Sequence, residues 1–257
     1  MAVPAWLRGC RAAFVFLTRI PVGGFPYTPD AWRWSTAWFP FVGAVLGALM
    51  AAAWMGLAIG LGPMATATAV VGLGIMLTGG FHEDGVADTA DAMGGAFDQD
   101  RLFEILKDSR VGAFGAMALF VVLLLRVSLL AELDEAAPWA LILTQCAART
   151  PPIWQMALIP YVTRDEASKS RLVTRGGAAQ ALTATLWPVL VGGGLVASGW
   201  ATLGDAIAVA VAGIAVAAIT AWRYRARAGG LTGDFLGATE QLSECAMLAA
   251  LVWLRAM

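Results

Sequence analysis

The sequence predicts an all-α, polytopic integral membrane protein with about seven transmembrane helices and an N-terminal interfacial helix. Three observations carry this. Of 257 residues, 59% are hydrophobic and only 14% charged, against about 45–50% and about 25% in an ordinary soluble domain. Seven segments approach the roughly 20 apolar residues that cross a bilayer. Basic residues also alternate between successive loops.

The N-terminal stretch has Arg8 and Arg11 around the start of a short apolar run that Arg19 closes, and no small-residue cleavage site follows, so it is not read as a signal peptide. On a helical wheel Trp6, Leu7, Cys10, Phe14 and Leu17 share a face opposite Arg8, Arg11 and Arg19. That pattern suits a helix lying in the membrane interface, with a packing helix as the alternative. The seven apolar segments are 36–60, 62–79, 111–131, 138–158, 180–200, 205–222 and 236–255. The second is short and glycine-rich, and the last contains Glu240 and Glu244, which places its start near the interface. Gly43-x-x-x-Gly47 and Gly56-x-x-x-Gly60 have the spacing that lets two helices approach closely.

Loop charge predicts the orientation. Arg8, Arg11, Arg19 and Arg33 fall in 1–35, and Arg101, Lys107 and Arg110 in 80–110. Arg164, Lys169, Arg171 and Arg175 fall in 159–179, with Arg149 just before, and Arg223, Arg225 and Arg227 follow 222. The intervening connections LGPMAT, AELDEAAP and ASGWATLGD contain no Lys or Arg. The positive-inside rule reads the basic loops as cytoplasmic. Arg126 and Arg255 are exceptions, expected near the outer ends of their helices with side chains reaching the headgroups. The net charge of −1 gives no field for nucleic acid. Cys10, Cys146 and Cys245 are far apart and imply neither a disulfide framework nor a zinc site. No internal repeat is evident, and the spans carry few ionisable residues, which argues against a transporter.

The stretch TGGFHEDGVADTAD, residues 78–91, breaks the apolar pattern. Eight acids lie between 79 and 108: Glu83, Asp84, Asp88, Asp91, Asp98, Asp100, Glu104 and Asp108. One Asp at the bilayer centre costs about 2.5–3.5 kcal/mol, so this segment belongs in water, in a polar cavity or around cations. Asp84, Asp88 and Asp91 fall at i, i+4 and i+7, within about 60° of one another on a helix face. Like charges so placed repel, and a divalent cation reverses that effect. Hard oxygen ligands select Mg²⁺, Ca²⁺ or Mn²⁺, and Mg²⁺ is commonly held by one or two carboxylates plus substrate phosphates. A solvated acidic loop is the plainer alternative. The small residues Gly79, Gly80, Gly85, Ala87, Ala90, Gly94 and Gly95 leave the face open to a bulky ligand.

Three further groups join it on the same predicted side. Lys107, Ser109 and Arg110 lie at the mouth of the third span, where Arg can meet phosphate oxygens in bidentate fashion. The stretch GGLTGDFLGATEQLSE, residues 229–244, places a glycine-rich turn and Thr232 before Asp234 and a helix N-terminus suited to an anion. LTRIPVG, with Arg19, is the third. His82 is the only histidine and builds no multi-histidine metal site. It is read either as a proton carrier or phosphate donor, or as a hydrogen-bonded turn residue.

Together TGGFHEDGVADTAD, KDSRVGAFGA, LTRIPVG, FPFVGAVLG and GGLTGDFLGATEQLSE resemble the cobalamin (adenosylcobalamin 5′-phosphate) synthases, also called adenosylcobinamide-GDP ribazoletransferases, from about residue 14 to 250. The resemblance implies a single transferase domain over 1–257, multi-pass in the bacterial inner membrane, with cytoplasmic catalytic loops. It implies that α-ribazole, or its 5′-phosphate, attacks the phosphorus on the aminopropanol arm of adenosylcobinamide-GDP and releases GMP, with Mg²⁺ as cofactor. Asp84, Asp88, Asp91 and Asp234 would hold metal. One of the first three, or His82, would accept the hydroxyl proton. Arg19, Lys107, Ser109, Arg110, Thr232 and Glu244 would contact substrate. Membrane lipid is the other expected partner, and a homo-oligomer is compatible with the pattern. The D-G-x-A-D-x-x-D order is similar to the motif of CDP-alcohol phosphotransferases, so a lipid phosphotransferase is the alternative; there Asp88 stands where those enzymes place Arg.

Overall fold

The computed structural model describes residues 4–24, 26–162, 173 and 176–257. The predicted loop cations Arg164, Lys169, Arg171 and Arg175 lie outside the described residues. Among those described the structure is helical, with one isolated parallel bridge between Tyr161 and Leu231 and no strand.

Helix α1 (Ala5–Leu17) packs on α2 (Pro29–Ser35), where a Cβ on Gly9 would lie 2.9 Å from the Trp34 carbonyl carbon. Of the predicted apolar face only Leu17 is buried, while Trp6 and Leu7 stay exposed; Gly9, Ala12 and Ala13 are the other buried residues of the helix. A 3₁₀ turn, Thr36–Trp38, leads into α3 (Phe39–Leu57), the first predicted span. Gly43 and Gly47 let α3 press against α8 (Ala137–Ala147): a Cβ on Gly43 would collide with the Gln145 carbonyl, and one on Gly47 would lie 2.8 Å from Ile142 Cα. The second predicted pair behaves differently. Gly56 and Gly60 have nothing within 4 Å: Gly56 lies nine residues from Gly47, on the opposite face of α3, and Gly60 lies beyond the end of the helix.

The second predicted span is α4 (Pro63–Thr78), and it ends in an elbow. Gly79 and Gly80 have φ of 74° and 70°, a left-handed pair that only glycine adopts freely. The chain turns by 92° into α5 (Phe81–Gly95), which carries the acids out of the line of the span. Short α6 (Gln99–Ile105) follows, then α7 (Ala113–Leu133), another 3₁₀ turn, Asp134–Ala136, and α8. The fourth predicted span is broken after Ala147. Its second half is α9 (Thr150–Leu158), with Pro151 and Pro152 in the first turn, where their missing N–H groups cannot continue α8. Helices α10 (Ala178–Ala197), α11 (Leu203–Ala228) and α12 (Gly233–Ala256) complete the bundle.

The protein is thus an all-α, multi-pass membrane protein. Among the described residues four stretches are long and apolar enough to cross a bilayer: Pro29–Leu57, Ala113–Leu158, Ala178–Ala197 and Leu203–Ala228; the bent α4–α5 pair makes a fifth if it is counted as one span. Helix α12, predicted as the seventh span, is not among them, and its side chains are largely buried. Most of its residues from Phe235 to Leu251 are inside, against Met50, Trp54, Leu130, Leu141 and Leu143. Phe120, Leu124, Leu186, Leu190, Ile214 and Ile219, on α7, α10 and α11, are exposed and form the outward apolar surface that lipid covers.

The predicted basic loops meet at one end of the bundle. The Arg19 amide donates to the Leu77 carbonyl (2.7 Å), Arg227 Nη2 to the Ala96 carbonyl (2.6 Å) and Gln99 Nε2 to the Ala228 carbonyl (2.7 Å). Leu231 N donates to the Pro160 carbonyl (2.9 Å).

Candidate active site

Helix α5 lies between α7 and α12 at this end. Its aspartate face runs from exposed Asp84 through half-buried Asp88 to buried Asp91. The crossing with α12 is backbone to backbone. A Cβ on Gly85 would lie 2.8 Å from the Asp234 carbonyl oxygen, and one on Gly237 would lie 3.4 Å from His82 Cα. This approach brings Asp234, in the first turn of α12, beside Asp84 and Asp88. Burial, and then the neighbouring charges of Asp84, Asp234 and Asp91, push the Asp88 carboxyl up to about 7.

Asp91 does something the spacing alone does not reveal. Its oxygens accept hydrogen bonds from the Gly112 amide (2.7 Å) and the Gly115 amide (2.9 Å), so it caps the N-terminus of α7 from a neighbouring helix. The positive end of that helix stabilises the carboxylate. Glycine at 112 and 115 is required, since a Cβ at either position would collide with the Asp91 carboxylate.

The expected substrate contacts divide. Lys107, Ser109 and Arg110 are exposed in the loop that enters α7. Arg110 is already paired: its Nε and Nη2 donate to Asp108 Oδ1 and Oδ2 at 3.0 and 2.6 Å, and those hydrogen bonds hold the Asp108 carboxyl down at about 2. Exposed Arg19 lies against Gly79 at the elbow. The predicted turn at 229–233 is present, with Gly229 at φ 76°. Thr232, expected to meet substrate, is 2% exposed, and its hydroxyl accepts from the Phe235 amide (3.4 Å) as the N-cap of α12.

His82 is not with the aspartates. At about 100° per residue it points roughly 200° away from Asp84, and it is buried, with Nδ1 3.8 Å from Glu240 Oε2. It lines a cleft of about 40 Å³ with Phe16, Phe39, Phe81, Arg149 and Glu240, which has room for little more than water.

Sequence reasoning missed a buried ion network. Arg126 does not reach an outer headgroup layer: it is 2% exposed, with Nη1 2.9 Å from Glu83 Oε1 and Nη2 3.1 Å from Glu244 Oε2. Arg126 Nη1 also donates to Gln241 Oε1 (3.0 Å). Arg149, at the α8–α9 break, pairs with Glu240 Oε1 at 3.0 Å and donates to the Gln145 carbonyl at 2.6 Å. Glu244 is therefore a core residue in this structure and does not face the acidic groove. Arg255 differs: it stays exposed near the end of α12, pairs with Asp205 in the first turn of α11 (2.9 Å) and lies over the Trp139 ring. The signal for the network was in the sequence: Glu240 and Glu244, one turn apart in an apolar helix, demand buried cations.

Among the described residues no three His, Cys, Asp or Glu side chains stand close enough to hold a metal ion as they are. The donor chemistry still fits a hard cation. Asp84, Asp88 and Asp234 are short oxygen donors at the crossing of α5 and α12, and after burial the charges of Asp84 and Asp234 are the next causes that push the Asp88 carboxyl up.

The sequence profile described as cobalamin-5-phosphate synthase matches residues 9–252. The chain belongs to that family. Among its relatives are proteins named adenosylcobinamide-GDP ribazoletransferase from Leptothrix cholodnii, 37% identical over 94% of this chain and 93% of that one, and from Chlorobaculum tepidum, 32% identical over 98% of each. A Polaromonas relative of the same name is 37% identical over 97% of this chain and 98% of its own. No solved structure matches. The motifs that carry the family resemblance, from LTRIPVG to GGLTGDFLGATEQLSE, lie within the matched span and meet at the α4–α5 elbow and the start of α12.

Proposed function

We propose that this chain is an adenosylcobinamide-GDP ribazoletransferase, acting as one membrane-embedded domain of the bacterial inner membrane with its acidic groove on the cytoplasmic face. A hydroxyl of α-ribazole, or of its 5′-phosphate, forms a bond to the phosphorus on the aminopropanol arm. The bond from that phosphorus to the bridging diphosphate oxygen breaks, and GMP leaves with the electron pair. The observation that carries this reading is the convergence of Asp84, Asp88 and Asp234 where the backbones of α5 and α12 touch, in a chain of this family.

Asp84 and Asp234 would hold Mg²⁺, which supplies charge neutralisation at the diphosphate. Asp88, half-buried between them, would accept the attacking hydroxyl's proton. Asp91 holds the start of α7 against α5, and Ser109 and Arg110, in the loop just before it, would meet a substrate phosphate, with Arg110 exchanging Asp108 for it. Protein covalent chemistry is not needed, because alignment and charge neutralisation suffice for such a transfer.

A transporter reading gains less from the buried charges than their number suggests. Arg126, Arg149, Glu83, Glu240 and Glu244 pair with one another, beside a cleft too small for a corrinoid. The test is purified protein with adenosylcobinamide-GDP and α-ribazole or its phosphate, with and without Mg²⁺, following GMP. No GMP in the presence of Mg²⁺ would sink the reading, as would full turnover by Asp84→Asn.

A further inference from the structure

We propose that Arg126 is a positioning residue that sets the register in which α5 and α12 present Asp84, Asp88 and Asp234. The inference rests on the reaction proposed above and adds a residue that touches neither substrate nor ion. Helices α5 and α12 approach backbone to backbone at Gly85, against Asp234, and at Gly237, against His82. Around these glycines Val86 packs in one cluster with Ala238 and Cys245, and Ala92 in another with Phe235 and Leu236, while His82 Nδ1 lies 3.8 Å from Glu240 Oε2. Apolar packing holds the two helices together, whereas charge-assisted hydrogen bonds of fixed geometry set their register more tightly. The groove exists only in one register, because Asp84 and Asp88 come from one helix and Asp234 from the other.

Arg126 adds a directional constraint to that packing. Its planar fork reaches both helices from α7: Nη1 to Glu83 on α5 (2.9 Å) and Gln241 on α12 (3.0 Å), and Nη2 to Glu244 on α12 (3.1 Å). Glu83 immediately precedes Asp84, so any rotation of α5 that swings Asp84 also pulls Glu83 off the guanidinium. Glu244 lies ten residues beyond Asp234, about 15 Å along the same rigid helix, so sliding α12 breaks the other arm. Glu83 Oε2, Arg126 Nε and Glu244 Oε1 find no hydrogen-bond partner. A network satisfied this incompletely is weak as a source of stability, and its attested use is to specify one arrangement over others. Lysine cannot replace it, since a single ammonium cannot bridge two helices with fixed geometry.

The experiment compares wild type with Arg126→Lys and with the uncharged set Glu83→Met/Arg126→Leu/Glu244→Met, all in lipid nanodiscs. Thermal unfolding, the Mg²⁺ concentration that half-saturates GMP release, and kcat are measured, together with amide exchange over residues 83–91 in the absence of substrate. The uncharged set is expected to melt within a few degrees of wild type, to lose at least tenfold in kcat, and to need at least tenfold more Mg²⁺. Exchange across α5 should speed up at least tenfold while α3 and α8 are unchanged. Wild-type kcat and Mg²⁺ dependence in the uncharged set overturn the proposal, because they leave Arg126 only a packing role. If that set fails to fold, Arg126→Lys decides: an intermediate loss in kcat supports the clamp, and wild-type kinetics overturn it. A wild-type protein that releases no GMP overturns the reaction instead, and the exchange measurement then judges the clamp alone.

Discussion

Asp91→Asn separates two roles that the i, i+4, i+7 spacing cannot distinguish. If Asp91 is chiefly a ligand, its loss matters when metal is bound. If it is chiefly a cap, its loss matters always. The two amides that reach it, at 2.7 and 2.9 Å, belong to the first turn of α7, and the carboxylate is 8% exposed. Hydrogen bonds to a charged group contribute about 1.5–3 kcal/mol each, and the helix-end charge up to about 2 kcal/mol when partly buried. Asparagine keeps one acceptor oxygen, turns an NH₂ toward an amide and removes the charge. A loss of about 2–4 kcal/mol follows. Asp91→Ala, which leaves both amides without an acceptor, should lose more. Thermal unfolding in nanodiscs, with and without Mg²⁺, reads this directly. The expected result is an equal fall in melting temperature in both conditions, with the Mg²⁺-induced rise preserved. Asp84→Asn should show the reverse: no fall without Mg²⁺, and no rise with it. If Asp91→Asn melts like wild type without Mg²⁺ and loses only the Mg²⁺-induced rise, the capping argument is wrong and Asp91 is a ligand.

The raised Asp88 carboxyl makes the metal-free protein bind a proton more tightly folded than unfolded, so its stability should fall as pH rises from about 4 to about 7 and then level off; Asp88→Asn should flatten that slope in a pH series of melts, and Mg²⁺ should stabilise wild type more at pH 8 than at pH 6. Gly43→Val should destabilise by more than the roughly 1–3 kcal/mol typical of overpacking, because the new side chain meets α8 backbone, whereas Gly56→Val, facing open space, should melt like wild type. His82→Gln should retain Mg²⁺-dependent GMP release within a few-fold, since the imidazole points away from the groove; a loss of a hundredfold or more would show that His82 is the base.

The sequence was most legible where one physical rule acts alone. Apolar length marks the helices, and loop charge gathers the ends that the structure joins through Arg19, Arg227 and Gln99. Gly43 and Gly47 read correctly as a close approach, while Gly56 and Gly60, with the same spacing, do not, because spacing cannot say which face meets a partner or where the helix ends. The aspartate face was visible as periodicity. Its division into an open groove and a cap for α7 was not, since Gly112 and Gly115 are 21 and 24 residues from Asp91. Arg126 and Arg149 were misplaced for a related reason. A lone arginine in an apolar run can reach the headgroups or pair inside, and only the positions of Glu83, Glu240 and Glu244 in space decide between them.

Those partners also constrain how the last helix enters the membrane. Glu240 and Glu244 sit well inside α12. An unpaired acid near a helix centre costs about 2.5–3.5 kcal/mol on insertion scales, so two would cancel much of what the apolar residues of α12 contribute. The helix becomes acceptable only where Arg126 and Arg149 already wait, and both precede it in the chain. Glutamates in α12 and arginines in α7 and at the α8–α9 break would therefore act together when α12 enters the bundle. Arg126→Leu/Arg149→Leu should leave a substantial fraction of molecules with α12 not spanning. A cysteine at position 257 in a background without Cys10, Cys146 and Cys245 reads this by labelling from outside intact cells. Wild type should label fully if its C-terminus emerges on the outer face, and the double variant should label only in part. Equal labelling would mean that α12 inserts on its own apolar residues, and that the arginines arrive afterwards to charges the membrane has already accepted.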